Sequence, residues 1–175
     1  MFGYLGIRIY HCVNRFETNL SHDFIQHLPR MSSVANILQK KNGRIISVPP
    51  TTTVLDAIHL MADKNIGSVV VASSTTYLGI VTERDYTHKV ILEGKHSNET
   101  MVTEIMSTNL PRVSPRDTHE TCMKLMAQNN VRYLPVFENG TLVGLISILD
   151  VIQATVDRQQ ETIGSLQDFI SSNFG

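Results

Sequence analysis

The spacing of apolar residues predicts two amphipathic helices of similar length in the middle of the chain. In each helix the apolar positions recur at intervals of three and four residues, which places them on one face. These positions are Ile58, Met61 and Ala62 in the first helix, and Met123, Met126 and Ala127 in the second, with Cys122 beside them. Thr53 and Thr118 precede the helices as natural N-caps, and Asn65 and Asn130 follow them as stop signals.

Short β-like runs follow both helices. β-branched and other apolar residues dominate 67–72 and 77–81 after the first helix, and 132–137 and 142–146 after the second. Each pair of runs leads into another helical stretch, 83 to about 92 in one case and 148 onward in the other. A short apolar stretch ending in a proline turn precedes each set. The order strand, helix, strand, strand, helix therefore occurs twice, which predicts an α/β fold of the α+β kind.

The two halves are also duplicates in sequence. When Val48–Asp85 is aligned with Val113–Asp150 at an offset of 65 residues, eleven of the thirty-eight positions are identical. Unrelated sequences of ordinary composition would share about two or three. Because each copy has only about sixty residues, it would bury a marginal core alone. We therefore expect the two copies to pair into one module.

Both copies carry one signature where the last strand meets the last helix, GIVTERD at 79–85 and GLISILD at 144–150. Its hydroxyl and carboxylate have the spacing of an ordinary capping box. The same geometry suits a ligand, because a helix N-terminus presents amides to a phosphate and a carboxylate can accept both hydroxyls of a ribose. The glycines would permit close approach to the backbone. Both interpretations remain open from the residues alone.

This order of elements, together with the signature, resembles the cystathionine-β-synthase (CBS) domain family. The resemblance covers about Val34 to Asp157, includes Ile37-Leu38 and Ile105-Met106 ahead of the copies, and extends to the string TERDY at 82–86, as in stand-alone two-domain members. It implies tandem β-α-β-β-α CBS repeats paired into one module, known as a Bateman module, plus a C-terminal helix. It also implies adenine nucleotides or related ligands bound in clefts between the domains, and association as a homodimer.

The signature and the resemblance together give a set of candidate ligand-binding residues: Gly79, Thr82, Arg84, Asp85, Arg132, Tyr133, Pro135, Gly144, Ser147 and Asp150. The first site has its own cations for a phosphate, Arg84 and Lys89. In the second copy Ile148 and Leu149 take the corresponding positions, so a cation has to come from elsewhere, and Arg132 is the candidate. We therefore expect unequal sites.

The segment 131–135 contributes three of these candidate residues, Arg132, Tyr133 and Pro135. Arg132 is equally well explained as a solvated charge at the start of a strand. The family often has Arg-His here, and Tyr133 in place of the histidine puts one phosphate contact in doubt while keeping a hydroxyl donor. Pro135 within a β-run predicts a lapse in the hydrogen-bond ladder, and similar prolines in the family face the cleft. By resemblance, adenine is expected against 43–46 and 109–112.

Composition narrows the function without identifying it. The chain has 175 residues, 42% of them hydrophobic and 18% charged, with a net charge of −1, so no basic field for nucleic acid is present. The short cluster Lys40, Lys41 and Arg44 fits a solvated linker face. The two cysteines, Cys12 and Cys122, have no disulfide-framework spacing, which favours a reducing compartment and a core position for Cys122. The seven histidines have no metal-ligand spacing, so we expect scattered surface histidines and no metal.

The resemblance divides the chain into an N-terminal extension at 1–30, CBS domains at 31–94 and 95–157, and a helical tail at 158–175. Residues 93–103 are expected to form an exposed linker. The first thirty residues resemble an Arg-bearing mitochondrial transit peptide that is poor in serine, or an extension ahead of a family-like start at Met31. The cytoplasm is the expected location, and the mitochondrial matrix is the alternative. The absence of a run of about 18 to 20 apolar residues argues against a membrane anchor.

The C-terminal stretch keeps a helical stripe of apolar residues at Ile152, Val156, Ile163, Leu166 and Ile170, with Gly164 as a place for a bend or break. The stripe could pack on its own module or on a second subunit. No nucleophile triad, Walker loop or Rossmann loop is recognisable, so no enzyme is expected.

The leading hypothesis is a non-enzymatic regulatory module with no required cofactor. It would bind AMP, ADP, ATP or S-adenosylmethionine and signal to an unidentified partner protein by shifting a population of conformations. The alternative is a structural dimerisation or interaction module that binds no ligand and uses the signature residues only as helix caps.

Overall fold

The computed structural model describes residues 33–41, 45–74 and 76–174, so the expectations for 1–30 lie outside the described residues. The described helices are α1 (Val34–Lys40), α2 (Val54–Lys64), α3 (Glu83–Tyr86), α4 (Val102–Ile105), α5 (His119–Asn129) and α6 (Ile148–Phe174), with a π-helical turn, Thr87–Ile91, after α3. The described strands are β1 (Ser47–Val48), β2 (Ser68–Ser73), β3 (Thr76–Thr82), β4 (Tyr133–Glu138) and β5 (Thr141–Ser147). These elements confirm the duplicated α/β order.

The two central helices, α2 and α5, begin and end as the sequence predicts. The Thr53 side chain accepts a hydrogen bond from the Asp56 amide, and the Thr118 side chain accepts one from the Thr121 amide. Both helices end at an asparagine in the left-handed region, with φ of 51° at Asn65 and 52° at Asn130. Asparagine tolerates this conformation better than most residues, so it stops a helix cleanly.

The two repeats differ in their sheets. In the first repeat β1 pairs parallel with β2, and β2 pairs antiparallel with β3. In the second repeat β4 and β5 pair antiparallel. The counterpart of β1 is there reduced to a single parallel bridge between Val113 and Val136.

Pro135 accounts for this difference. In the first repeat the Val70 amide donates to the Ile46 carbonyl at 3.0 Å. Pro135 occupies the equivalent position of β4 and has no N–H to donate. Its carbonyl still accepts a hydrogen bond from the Val113 amide at 3.2 Å, so only one rung of the ladder is lost. The predicted lapse in the ladder is confirmed.

The helix that precedes each repeat completes the other repeat. In α1 the Val34 amide donates to the Asp117 carbonyl at 2.9 Å, and Val34 and Ile37 pack into the core of the second repeat. In α4 the Val102 amide donates to the Thr52 carbonyl at 3.0 Å, and Val102 packs into the core of the first repeat. The two repeats are therefore interwoven.

This crossing corrects one expectation. The segment 93–103 is not an exposed linker throughout, because Thr100 is 5% exposed and Val102 is fully buried. The Thr100 hydroxyl donates to the His96 carbonyl at 2.9 Å, which fixes the turn that leads into α4. The second half of the connection is thus part of the first repeat's packing.

Each repeat has its own hydrophobic core. Equivalent methionines lie within the two cores, Met61 at 2% exposure and Met126 at 1%. Cys122 is buried in the second core, as expected, and burial raises the pKa of its thiol to about 11. The shared shape of the two cores follows from the duplicated apolar stripe.

His119 corrects the expectation of a surface histidine. It occupies the position equivalent to Val54 and is 2% exposed. Neither ring nitrogen has a hydrogen-bond partner of good geometry among the described residues. Burial lowers the pKa of the His119 ring, and a polar contact with the Ser33 backbone opposes this only in part. The second repeat therefore buries an imidazole where the first buries a valine.

The last helix, α6, has 27 residues and continues through Gly164, so the bend considered there is not present. The C-terminal part of its apolar stripe is left largely exposed by the described part of the chain, since Ile163 is 55% exposed and Leu166 and Ile170 are each 57% exposed. No helix within the described residues is long and apolar enough to cross a membrane.

Candidate functional site: two clefts between the repeats

Two clefts open where the repeats meet. Cleft 1 has a volume of about 350 Å³, and its lining includes Thr82, Arg84, Asp85, Lys89, Ser107 and Leu110. Cleft 2 has a volume of about 610 Å³, and its lining includes Lys41, Ile45, Ile46, Leu145, Ser147, Leu149 and Asp150. Gly67, Arg132 and Tyr133 line both clefts. The structure therefore brings each Thr/Ser-x-x-Asp signature to a cleft of its own.

In cleft 1 the Asp85 carboxylate is surrounded by donors. Its Oδ2 accepts hydrogen bonds from the Thr82 amide at 3.0 Å and the Thr82 hydroxyl at 2.6 Å. Its Oδ1 accepts one from the Ser107 hydroxyl at 3.1 Å and lies 2.7 Å from Lys89 Nζ. The Asp85 amide donates back to the Thr82 hydroxyl, which completes a capping box. A ribose hydroxyl can reach Oδ1 only by replacing Ser107 or Lys89.

The two cations predicted for cleft 1 are differently placed. Lys89, in the π-helical turn, also donates to the Ile105 carbonyl at 2.6 Å, so it ties the signature helix to α4. Arg84 is exposed, and its Nη1 lies 3.4 Å from the Asn130 carbonyl of the second repeat. Arg84 forms no ion pair with a described residue. Its guanidinium is therefore the more available of the two for an anionic ligand.

In cleft 2 the Asp150 carboxylate has the same cap and a different cation. Its Oδ2 accepts hydrogen bonds from the Ser147 amide and hydroxyl, each at 2.7 Å, and from Lys41 Nζ at 2.8 Å. Burial alone would raise the pKa of Asp150, but the hydrogen bonds from Lys41 and Ser147 outweigh it and lower this pKa below the usual value. Lys41 Nζ also donates to the Leu145 carbonyl at 3.1 Å.

Lys41 was missed by the sequence analysis, which gave cleft 2 no cation except Arg132 and treated Lys40 and Lys41 as a solvated linker face. That assignment is wrong for Lys41, because α1 crosses to the second repeat and carries it to Asp150, 109 residues away in sequence. The adjacent Lys40 pairs with Asp157 at 2.6 Å instead. No local pattern in the sequence signals this contact.

The wall between the clefts is asymmetric. Arg132 is exposed and lines both clefts, whereas its counterpart in the first repeat is Gly67. The Tyr133 hydroxyl lies over Gly67, where a Cβ would come within 2.6 Å of it. Burial raises the pKa of the Tyr133 phenol, and a hydrogen bond with Ser68 acts in the opposite direction. Tyr133, which stands where the family often has histidine, thus occupies space that is open only because residue 67 is glycine.

Three candidate residues are not part of the described lining of either cleft. Gly79 accommodates the protein itself, since a Cβ there would lie 2.9 Å from the Ser107 carbonyl. Gly144 accommodates the Leu38 side chain, with which a Cβ would collide. Pro135 is buried in β4 opposite Leu145. The two glycines were expected to let a ligand approach the backbone closely. In the structure they let other segments of the chain approach it instead.

The apolar positions expected to face adenine do reach the clefts. Ile45 and Ile46 line cleft 2, and Leu110 lines cleft 1. Residues 43 and 44 of the expected segment lie outside the described residues. Within the described ranges, no group of three histidine, cysteine or acidic side chains is arranged to hold a metal ion.

Two interwoven β-α-β-β-α repeats with a capped carboxylate in each intervening cleft define a tandem-repeat module with two candidate sites. The chain belongs to the CBS domain family, whose sequence profile matches residues 34–91 and 102–157. Such domains are generally regulatory modules that bind adenosyl ligands.

Similar proteins support this assignment. The chain is 35% identical over 152 residues to the mitochondrial CBS domain-containing protein CBSX3 of Arabidopsis thaliana, covering 82% of this chain and 74% of the relative. It is 31% identical over 141 residues to YhcV of Bacillus subtilis, covering 81% and 96%.

Solved structures agree with the fold. A CBS-domain containing protein from Agrobacterium tumefaciens has a TM-score of 0.68 at 34% identity, with coverage of 71% of this chain and 99% of that one. A hexameric CBS-CP12 protein from bloom-forming cyanobacteria has a TM-score of 0.63 at 31% identity, with coverage of 71% and 68%.

Proposed function

We propose that this module binds an adenine nucleotide or a related adenosyl ligand in its clefts and regulates a partner protein without catalysing a reaction. The observation that carries the proposal is the repetition of one constellation. Each cleft has a carboxylate that is held by a hydroxyl and an amide and is paired with a lysine: Asp85 with Thr82 and Lys89, and Asp150 with Ser147 and Lys41.

The chemistry of each cleft matches the parts of a nucleotide. A carboxylate accepts hydrogen bonds from ribose hydroxyls, and a lysine displaced from it becomes a cation for phosphate. In cleft 1 the exposed Arg84 adds a fork of donors that suits phosphate oxygens. Ile45 and Ile46 in cleft 2, and Leu110 in cleft 1, offer apolar contact to adenine. Both volumes fall in the range of about 300 to 1,000 Å³ usual for small-molecule sites.

Candidate ligands are AMP, ADP, ATP and S-adenosylmethionine, acting as regulatory ligands and not as cofactors. A ligand changes the protein's signal only if it binds two conformations with different affinity. Displacing Lys41 from Asp150 would release the end of α1, and displacing Lys89 from Asp85 would loosen its tie to α4. These two crossing helices are the elements through which we propose that occupancy reaches a partner protein.

Calorimetric titration of the full chain with the four ligands tests the proposal. We expect at least one to bind, and Asp85→Ala to weaken binding in cleft 1 by roughly ten- to a hundredfold, the range for hydrogen bonds to a charged group. Asp157→Ala is the matched control, because Asp157 pairs with Lys40 outside the described lining of both clefts. No heat and no shift in melting temperature with any ligand would contradict the proposal.

One observation favours the alternative of a ligand-free interaction module. Asp85 and Asp150 are each satisfied by a capping hydroxyl, an amide and a lysine, so neither requires a ligand for stability. Mass spectrometry of small molecules released from the denatured protein separates the two functions. A stoichiometric adenosyl compound supports the sensor, whereas none, together with silent titrations, supports the structural module.

We extend the proposal to assembly and location. The cyanobacterial relative is hexameric, and Ile91 and Leu92 are 52% and 73% exposed here; both observations support self-association, for which we propose a homodimer. The name of the Arabidopsis relative places that protein in mitochondria, so we propose the mitochondrial matrix as the alternative to the cytoplasm. Imaging of fluorescent fusions with and without residues 1–30 decides between them, since matrix localisation that requires those residues would identify a transit peptide.

A further inference from the structure

The outward face of α6 carries a heptad repeat. Exposed apolar residues recur at intervals of three, four, seven, three and four positions, and they are Leu149, Ile152, Val156, Ile163, Leu166 and Ile170. In heptad notation Leu149, Val156, Ile163 and Ile170 occupy a positions, and Ile152, Gln159 and Leu166 occupy d positions. A spacing that averages 3.5 residues is the signature of a helix that supercoils around another helix. These seven residues are here called the α6 seam.

Beyond Leu149, which also borders cleft 2, the α6 seam faces away from the module to which the helix belongs. The contacts that hold α6 to its own module come from Val151 in the second core, from Asp157 with Lys40 at 2.6 Å, and from Arg158 with Glu120 at 2.8 Å. With 3.6 residues per turn, these positions lie nearly opposite the seam. The residues beyond 157 also lie outside the family match, which ends there. Within the described part of the chain, the seam beyond Val156 therefore remains largely exposed.

The C-terminal half of α6 depends on a cover. Helices shorter than about 12 to 15 residues are marginal in water alone, and helices in proteins gain most of their stability from packing an apolar face. Ile163, Leu166 and Ile170 are all more than half exposed. Such a row of large apolar side chains in water is typical of an interaction surface.

The residues beside the seam indicate what covers it. The flanking e positions are all glutamine (Gln153, Gln160 and Gln167), and the flanking g positions, Thr155, Thr162 and Phe169, are uncharged as well. The charged residues of α6 lie at b, c and f positions, and they are Asp150, Asp157, Arg158, Glu161 and Asp168. Charges at the e and g positions are the main feature by which a coiled-coil helix selects a non-identical helix over a copy of itself. Because these positions are uncharged, two copies of this helix meet without like-charge repulsion.

The polar residue in the seam also suits an identical partner. In a parallel, in-register pair, Gln159 lies opposite Gln159, and the two amides can donate to and accept from each other. A polar residue at one core layer fixes the register of a coiled coil. β-branched residues at three a positions, Val156, Ile163 and Ile170, favour two strands.

We propose that α6 of one chain pairs with α6 of a second copy as a parallel, in-register, two-stranded coiled coil. This inference specifies the surface of the proposed homodimer, and Leu149 is the seam residue that this surface shares with cleft 2. In this arrangement the two C-terminal halves lie side by side, and the two modules flank the coiled coil on its outer faces.

The test combines seam variants with cross-linking. Sedimentation equilibrium of the full chain should show a dimer, and Leu166→Asp should weaken association by roughly a hundredfold or more because a charge then enters an apolar layer. Ser165→Asp, at a c position one residue away, is the control and should remain dimeric. A monomeric wild-type chain, or a Leu166→Asp variant that is as dimeric as the wild type, would overturn the proposal. Nucleotide titration of Leu166→Asp reports separately on the proposed ligand sites.

Orientation is tested with single cysteines. In a chain with Cys12 replaced by serine, Ile170→Cys should form a disulfide-linked dimer on mild oxidation, because equivalent a positions face each other in a parallel pair. Ser165→Cys should not. Cys122 is buried and serves as an internal control, since the parent chain without the added cysteine should not cross-link. Failure of Ile170→Cys to cross-link while the chain is dimeric would overturn the parallel, in-register arrangement.

Discussion

In cleft 1 and cleft 2, equivalent carboxylates are held by the same kind of cap, a hydroxyl and an amide. The lysine that pairs with each carboxylate comes from a different part of the chain. Lys89, four residues after Asp85, reaches back within its own repeat. In the second repeat its equivalent is Ala154, and Lys41 arrives from the end of α1 instead. A duplicated site has thus kept its charge balance while exchanging the source of the charge. Cleft 2 is therefore tied directly to a crossing helix, whereas the lysine of cleft 1 reaches α4 through a backbone carbonyl.

The largest effect is expected in the two cores on which the clefts rest. Met61→Ala and Met126→Ala remove equivalent buried side chains and should each lower the free energy of unfolding by about 2 to 5 kcal/mol. Because α1 and α4 cross between the repeats, we expect one cooperative transition in both variants. Urea unfolding followed by circular dichroism and by tyrosine fluorescence measures this. Two separated transitions would show that the repeats unfold independently, and Thr103→Ala, at an exposed position, is the control.

The next largest effect concerns the two lysines. Lys89→Met should weaken ligand binding in cleft 1, and Lys41→Met in cleft 2, each by roughly ten- to a hundredfold through the loss of a charge-assisted contact. Lys40→Met is the matched control for Lys41, since its partner Asp157 lies outside the described lining of both clefts. Calorimetry that resolves two classes of site checks the assignment. If either variant weakened binding equally in both clefts, the assignment of Lys89 to cleft 1 and Lys41 to cleft 2 would be wrong.

A smaller effect is expected where the second repeat buries His119 in place of valine. His119→Val should raise the free energy of unfolding at pH 7 by about 1 to 3 kcal/mol, the usual cost of a buried polar group without a partner. Burial lowers the folded-state pKa of His119 below the unfolded value of about 6.5. The free energy of unfolding is therefore highest above about pH 6.5. It falls as the pH drops from there toward the folded-state pKa of His119, because the unfolded chain then binds a proton that the folded protein does not.

Denaturant unfolding at several pH values from 7 to 5 measures this loss. The charged groups that influence His119 are Glu120 on its own helix, Lys40 on α1 and Arg158 on α6. The free energy of unfolding of the His119→Val variant should lack the part of its pH dependence that comes from protonation of the His119 ring. An unchanged slope in that variant would mean that the other groups cause it. Val54→Ala, at the equivalent position, controls for the change in packing.

The smallest effect is expected at Pro135. Replacing it with valine, the residue at equivalent position 70, restores an N–H that can reach the preceding segment as the Val70 amide reaches Ile46. The gain of one hydrogen bond is about 0.5 to 1.5 kcal/mol, and part of it is offset by the lost rigidity of proline. Amide hydrogen exchange at residue 135 is the measurement. An unprotected amide there would show that something other than the missing donor shortens the ladder.

Much of the fold was predictable because the signals are local. Thr53 caps α2 and Asn65 ends it through contacts within one turn, and the repeat supplies the same pattern again in α5. The pairing of Thr82 with Asp85, and of Ser147 with Asp150, also lies within three residues. Such short-range preferences can be read from spacing, because few other elements compete for the same donors.

The parts of the site that were missed depend on packing between distant segments. Lys41 pairs with Asp150, Ser107 donates to Asp85, and Tyr133 lies over Gly67. None of these contacts is implied by a motif, because each joins segments that lie far apart in the sequence. The role of Gly79 was mistaken for the same reason, since the segment that approaches it is Ser107 and not a ligand.

The sequence by itself determined the duplication, the order of elements and the two capped carboxylates, because these depend on local hydrogen bonding and apolar periodicity. The tertiary structure decided which cation reaches each carboxylate, which glycines accommodate neighbouring chain segments, and which face of α6 the other described residues leave exposed. Those outcomes depend on where distant segments pack, and packing is set by the shape of the whole core and not by any one stretch of residues.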